Sequence, residues 1–300
     1  MTDATLTPSS TALARPRRRN PVLHFIRQQP LGFVGFLIIL LYFGMAIGAY
    51  WISPFHPEEI DFAAMLAAPS AEHPMGTDQY GRDVFSRLVY GARTAMAVGI
   101  LSAFLGCTAG ALIGATSGYF GGRIDNIIQR IVDIMLAFPI IVLAMVVVAV
   151  LGKNLLFGID MNLIIAIALP MVPKMARIAR ASTLSIAQMP YIDAARAAGY
   201  SHARIILRHI APNIVAPYLV MATAFIAQAI LLEASLSFLG LGVTEPTPAW
   251  GLMLSGASAD FYRAAPWMIL FPGLAITLAV FAFNLFGDSL RDWLDPKLKG

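Results

Sequence analysis

Apolar residues in this chain come in long unbroken runs separated by short polar segments, not in the alternation of half-buried strands. A hydrocarbon core about 30 Å thick takes roughly 20 apolar residues in helix. Six runs reach that length: 32–52, 94–118, 131–151, 161–179, 214–239 and 267–286. The pattern predicts an all-α integral membrane protein with six transmembrane helices. In the fourth run Pro170 and Pro173 interrupt the helical ladder near its end. A membrane tolerates such a break only where neighbouring groups or water satisfy the freed carbonyls. The two prolines mark either a kink beside a pathway or the helix terminus.

Composition agrees. Of the 300 residues 58% are hydrophobic and only 13% charged, against about a quarter charged in a soluble domain. The single cysteine, Cys107, closes off internal disulfides and multi-thiolate metal sites. The net charge of +4 matters less than where the charges fall. With the N-terminus inside, sixteen of the 21 lysines and arginines lie in inner segments. Only Arg82, Arg87, Arg93, Lys153 and Arg263 lie outside. The positive-inside rule therefore places both ends in the cytoplasm. The first run is too long for a signal-peptide core and lacks a small-residue cleavage site, so it reads as an uncleaved helix. The basic arm before it, residues 1–30, is expected to lie near anionic headgroups.

Within the second run Gly106, Gly110, Gly114 and Gly118 recur every four residues, with Gly122 just beyond. That spacing lines one helix face and lets another backbone approach closely. Two carboxylates fall in apolar runs, Asp133 and Glu233. Each must face protein or water. Asp133, near the inner end of its helix, either reaches the interface or gates a pathway. Glu233, followed by Ser235 and Ser237, makes either a packing hydrogen bond or part of a pathway.

Between the fourth and fifth runs lies a polar loop, residues 191–213, much longer than a connector requires. It reads as two short helices. The first, near 192–198, is alanine-rich and carries Asp193 in its first turn, where the helix dipole favours negative charge. Gly199 stops it. Ser201 caps the second helix, and Pro212 limits its continuation. The alanine face is narrow enough to enter a groove on another protein, with arginines at the rim. It is too weakly hydrophobic for a helix lying on lipid.

This loop resembles the cytoplasmic coupling loop of bacterial ABC importer permeases, whose pattern is Glu-Ala-Ala, three residues, Gly, nine residues, a hydrophobic residue and Pro. Asp193, Ala194, Ala195, Gly199 and Pro212 match it, with Asp in place of Glu; Arg196 and His209 lie in the same loop. Two further segments look like signatures of the second permease subunit of dipeptide and oligopeptide importers. One is the outer loop with Gly76-Thr77-Asp78, Gly81-Arg82-Asp83, Arg87 and Arg93. The other runs from Glu233 through Gly240 and Gly242 to Pro246, Pro248, Trp250 and Gly251. Read without the resemblance, the outer loop is a pair of turns tied by side-chain hydrogen bonds, with acids at hand for Arg82.

The resemblance implies a type I, binding-protein-dependent ABC importer permease fold in the bacterial cytoplasmic (inner) membrane. It divides the chain into an arm (1–30), a first transmembrane helix with external loop (31–93), a permease core (94–290) holding the coupling loop (185–213), and a tail (291–300). It implies a heterodimer with a similar permease, two cytoplasmic ATPases that carry the ATP and Mg, and a periplasmic or lipid-anchored solute-binding protein. The implied cargo is di- and oligopeptides, with nickel or another small solute as the alternative. No nucleic acid partner is implied.

No phosphate loop is present, since Gly152-Lys153-Asn154 lacks both the first glycine and the hydroxyl. Neither His-Glu-x-x-His nor Gly-x-Ser-x-Gly occurs. His24, His56, His73, His202 and His209 have no ligand spacing, so no metal site and no cofactor in this chain is expected. The rival is an ion-coupled carrier using Glu233 and Asp133 for protons. Such a carrier has no need of the loop at 193–212.

Overall fold

The computed structural model describes residues 28–156, 158–256 and 260–294. Most of the expected arm and the last six residues of the expected tail lie outside the described residues. Helix α1, Pro30–Ile52, starts on a proline, which loses nothing at a position whose N–H has no helical partner. Helix α2, Val84–Phe120, is capped by Asp83, whose carboxylate accepts the Ser86 N–H at 2.7 Å. Its 37 residues make a rod about 55 Å long, ten residues longer at its N-terminal end than the apolar run alone.

The third run corrects the expectation of one helix over 131–151. It forms α3, Gly122–Leu136, and α4, Ile140–Leu151, bent from each other by 94°. Pro139 is the cause. It lacks the N–H that a continuous ladder needs and pushes Phe138 out of the helical region. Among the described residues five helices are long and apolar enough to cross a membrane on their own, and six with this bent pair counted as one. At the other end of α3, Gly121 and Gly122 take φ of 63° and 56°, which turns the chain sharply out of α2.

A two-residue strand pair, Leu155–Leu156 with Ile159–Asp160, precedes α5, Met161–Ala168. Asp160 caps α5 by accepting from the N–H of Asn162 (3.0 Å). The prolines of the fourth run do not end the helix. A tight turn over Leu169–Met171 takes in Pro170, and α6, Val172–Ala187, holds Pro173 near its start, where no N–H is missed. The span runs on to Ala187.

The polar loop brings a second correction. After α7, Pro190–Ala197, comes α8, His202–Ile205, a π turn over Ile206–Ile210, and α9, Ala211–Phe238. From His202 to Phe238 these form one 37-residue rod, so Pro212 does not stop the second loop helix. In the widened turn the Ala211 N–H reaches back five residues to Ile206 O. That gives room for the Pro212 ring, which in a regular helix would strike the carbonyl four residues earlier. A four-residue helix, α10 (Trp250–Met253), and α11, Trp267–Leu294, complete the described elements.

Helix α2 is the central post. One buried cluster packs it against α4, α5, α6, the loop helices and one side of α9; a second packs it against α1, α10, α11 and another side of α9. The four spaced glycines face α5 and α6. A Cβ on Gly110 would lie 2.5 Å from the Val172 carbonyl oxygen and 2.6 Å from the Met175 Cβ, and one on Gly106 2.9 Å from Ala168 O. Backbone on the far side cannot yield as a flexible side chain can. Gly110→Val is expected to lower the thermal midpoint of the purified protein by several degrees, since overpacking costs about 1–3 kcal/mol. Gly44→Val in α1, where a Cβ meets nothing within 4 Å, is the control and should change little.

Candidate functional site

Side-chain chemistry gathers at the two ends of α2. Arg87 and Tyr119 on that helix are 32 residues apart, about 48 Å along its axis.

At the N-terminal end of α2 the loop before it folds on itself. The Thr77 hydroxyl donates to Ala64 O and accepts the Ala67 N–H at 2.8 Å. Asp78 accepts from the N–H groups of Tyr80 (2.8 Å) and Arg82 (3.0 Å). Gly76 and Gly81 sit at φ of 72° and 76°. Gly81 also lies against the Asp61 carbonyl so closely that no Cβ fits. Both positions therefore require glycine. Asp83, besides capping α2, accepts from His73 Nδ1 at 3.0 Å.

These turns deliver two buried guanidinium groups to one carboxylate. Arg82 grips Glu245 through Nη1 (2.6 Å) and Nη2 (3.3 Å) and holds Asp78 through Nε (2.6 Å). Arg87, 1% exposed, reaches the same Glu245 through Nη2 (3.4 Å) and donates to the carbonyls of Pro57 (3.0 Å) and Pro246 (3.3 Å). Nearby, Trp250 Nε1 donates to Leu88 O at 2.9 Å, and its ring packs on Gly91 and Tyr42. The result is a latch joining the loop before α2 to the loop after α9. A cavity of about 190 Å³ lies beside it. Arg93 does not join the latch; its Nε donates to Ala46 O (2.6 Å), tying α2 to α1.

Glu245 was not singled out from sequence, although it is the one acidic residue between Glu233 and Asp260. Burial by itself would push its carboxyl up, but the hydrogen bond from Arg82 and the charges of Arg87 and Arg82 more than offset this. They hold it below the usual carboxylate range. A depressed pKa contributes stability that is complete above the unfolded value, about 4.3, and is lost as pH falls through the lower folded value. Proteolytic protection of the outer loops should therefore fall in that acid window, and Glu245→Gln should remove this pH dependence.

Near the C-terminal end of α2, α7 begins at Pro190, with Asp193 in its first turn paired to Arg196 (3.2 Å). Ile192 and Ala195 are buried against Ile205 and Ile210, so α7 is held from within. Asp193, Ala194 and Arg196 face outward, and the Asp193 side chain is 69% exposed. Gly199, at φ 75°, closes α7: its N–H donates to Arg196 O (3.0 Å) and the Tyr200 N–H to Ala195 O (3.1 Å). Ser201 accepts the Arg204 N–H at 3.4 Å.

This end is bolted to α2. His202 Nδ1 lies 2.9 Å from Tyr119 OH, and the Arg196 guanidinium sits 5.3 Å from the Tyr119 ring centre. His209 stacks on Tyr200, ring centres 6.0 Å apart, so it braces the loop rather than facing out. Behind it Asp125 accepts from Arg180 Nε (2.6 Å) and Nη2 (2.5 Å) and from Ser117 Oγ (2.5 Å), a buried junction of α2, α3 and α6. No sequence motif pointed to that junction. Asp133 lies on the exposed side of α3 and pairs with Arg177.

Glu233 is 1% exposed. Its carboxylate accepts from the Ser237 hydroxyl at 2.7 Å, and Ser237 Oγ accepts the Val243 N–H at 3.1 Å. The two therefore tie the end of α9 to the turn that follows. Ser235 is not part of this chain of bonds; it donates to Leu231 O in its own helix. Among the described residues no group of three or more His, Cys, Asp or Glu could hold a metal ion.

Residues 110–300 match the family model described as binding-protein-dependent transport system inner membrane component. Residues 22–69 match that of the N-terminal TM domain of oligopeptide transport permease C. The chain is 45% identical over 274 residues to the dipeptide transport system permease protein DppC of Alkalihalophilus pseudofirmus, covering 91% of this chain and 88% of that one. It is 45% identical over 275 residues to the glutathione transport system permease protein GsiD of Escherichia coli O6:K15:H31, covering 91% and 89%. The fold is similar to a solved chain of the MetNI methionine ABC transporter in inward-facing conformations. The TM-score there is 0.53 at 18% identity, over 70% of this chain and 97% of that one.

Proposed function

The chain belongs to the family of binding-protein-dependent inner membrane transport components, as a multi-pass ABC importer permease, and from that premise we propose that its cargo is small peptides. The observation that carries this is the 45% identity along 91% of the chain to permeases named for a dipeptide and for glutathione.

In this reading α7 and Gly199 form the contact with a cytoplasmic ATPase, with Asp193 in the place of the usual glutamate. Both termini are cytoplasmic. The chain pairs with a similar permease, with two ATPases and with a solute-binding protein outside. The proposed division is an accessory first helix with outer loop, 31–93, and a core, 94–290, that carries the coupling loop 185–213. Closure of the ATPases moves α7, which is fastened to the inner end of α2 through Arg196, while the adjoining α8 is fastened there through His202–Tyr119. A long packed helix transmits such a displacement toward the latch at its outer end. Transport then follows from two states biased by nucleotide on one side and the loaded receptor on the other. Glu233 and Ser237 stiffen the α9 end, which supports a packing role over a proton site.

The test is uptake into proteoliposomes holding the whole complex, with ATP inside and the proton gradient collapsed. A labelled dipeptide delivered by the cognate binding protein should accumulate. Uptake driven by a gradient alone would sink the ATP-driven reading. ATP-driven uptake of nickel but of no peptide would sink the cargo.

A further inference from the structure

Helix α3 has three faces. Asp125 and Val132 are buried, Asp125 on Arg180 of α6. Asn126, Arg123, Arg130 and Asp133 form a polar face. Between them runs an exposed apolar stripe, Ile124, Ile127, Ile131 and Ile134, continued by Phe138 beyond the helix; Ile127 and Ile134 are each 62% exposed. These positions recur at three- and four-residue steps, so they line one side of the helix. Arg123 and Arg130 border the stripe, and among the described residues neither forms an ion pair.

The attitude of α3 is unusual for a spanning helix. Asp125 and Asp133 are about 12 Å apart along α3, yet their partners Arg180 and Arg177 are only about 4.5 Å apart along α6. Helix α3 thus crosses α6 steeply, and it meets α4 at 94°. Helix α4 is about 18 Å long, well short of a 30 Å core. The pair is therefore not one straight span, and with α4 upright the 94° bend would set α3 near the membrane plane.

We propose that α3 is a lipid-sensing helix, its isoleucine stripe in the acyl region and Arg123 and Arg130 on the phosphates of anionic phospholipids. The proposal rests on the cytoplasmic placement of this end given above. An apolar, basic-edged helix lying near the membrane plane is suited to an anionic surface. A second permease packed on the stripe would have to bury two unpaired cations, which is costly without partner carboxylates. Through Asp125, Ser117 and Arg180 the helix is joined to the same end of α2 that holds the coupling loop. Lipid contact at α3 thereby sets how firmly that end is held.

The whole complex is compared in proteoliposomes of phosphatidylcholine alone and of phosphatidylcholine mixed with phosphatidylglycerol. ATP-driven uptake is expected to rise roughly fivefold with the anionic lipid, the effect of about one well-placed arginine on surface association. High salt should shrink the rise. The double variant Arg123→Gln, Arg130→Gln should abolish it while leaving uptake in phosphatidylcholine unchanged. Because Cys107 is buried, Ile127→Cys gives this chain one exposed thiol for a fluorophore, attached before assembly with the other subunits, which doxyl-labelled lipid should quench. Uptake indifferent to phosphatidylglycerol overturns the proposal, as does a thiol that cross-links to the partner permease and escapes quenching. Absence of ATP-driven uptake in every lipid would count against the importer reading instead, and the quenching would still decide the lipid contact.

Discussion

Gly199→Val is expected to cut ATP-driven uptake about tenfold or more while leaving the protein in the membrane at normal abundance. Gly199 sits at φ 75°, with nothing within 4 Å of where a Cβ would stand. The penalty is therefore conformational and not steric contact with a neighbour. A non-glycine residue held there costs about 1–3 kcal/mol, and a β-branched one has no local hydrogen bond to offset it. The chain would relieve the strain by re-aiming α7, whose exposed face carries Asp193 and Ala194. Asparagine tolerates the left-handed region, so Gly199→Asn should retain most uptake. ATP hydrolysis measured beside uptake separates uncoupling from loss of the complex. Normal uptake by the valine variant would show that α7 orientation does not matter to transport.

Arg87→Ala should produce the largest loss of stability among single changes on the outer face. The guanidinium is almost wholly buried and serves Glu245 and the carbonyls of Pro57 and Pro246 at once. Removing one partner of a buried ion pair costs about 3–5 kcal/mol. The lower end applies here, because Glu245 keeps Arg82 and its side chain is 45% exposed. A fall of several degrees in the thermal midpoint is expected. Arg263→Ala removes a cation whose recorded partner is the adjacent Tyr262 and is expected to change the midpoint little. Combining Arg87→Ala with Glu245→Gln should cost less than the sum of the two, since the second change removes the charge that the first leaves short of a partner. Strict additivity would mean that the two groups are not energetically coupled.

Both predictions turn on features with different visibility in the sequence. Gly199, Ser201 and the alanine helix could be read directly, because a helix end is written in the residues that make it. The same holds for the glycines of α2, whose four-residue spacing announces a close neighbour, though not which one. Pro139 was equally visible, but the hydropathy of 131–151 is uniform across it, and an apolar count does not register a missing N–H. Pro212 misled in the opposite direction: a π turn absorbs the ring locally, and only the backbone conformation shows that the rod continues. Glu245 lies more than 150 residues from Arg82 and Arg87 in the chain, so no local pattern could join them. Asp125 and Arg180 escaped for the same reason.

Composition and short-range pattern carry the membrane class, the number of apolar runs, and the helix–glycine–helix form of the loop between α6 and α9. Each of these follows from composition and short-range geometry, which act within a few residues. That α2 is the post between the Glu245 latch and the Tyr119–His202 contact, that Arg82 and Arg87 close on Glu245, and that α3 crosses α6 steeply emerge only when the chain folds. Those outcomes depend on which backbones approach and which buried charges must find a partner, and both are settled by packing between segments far apart in the chain.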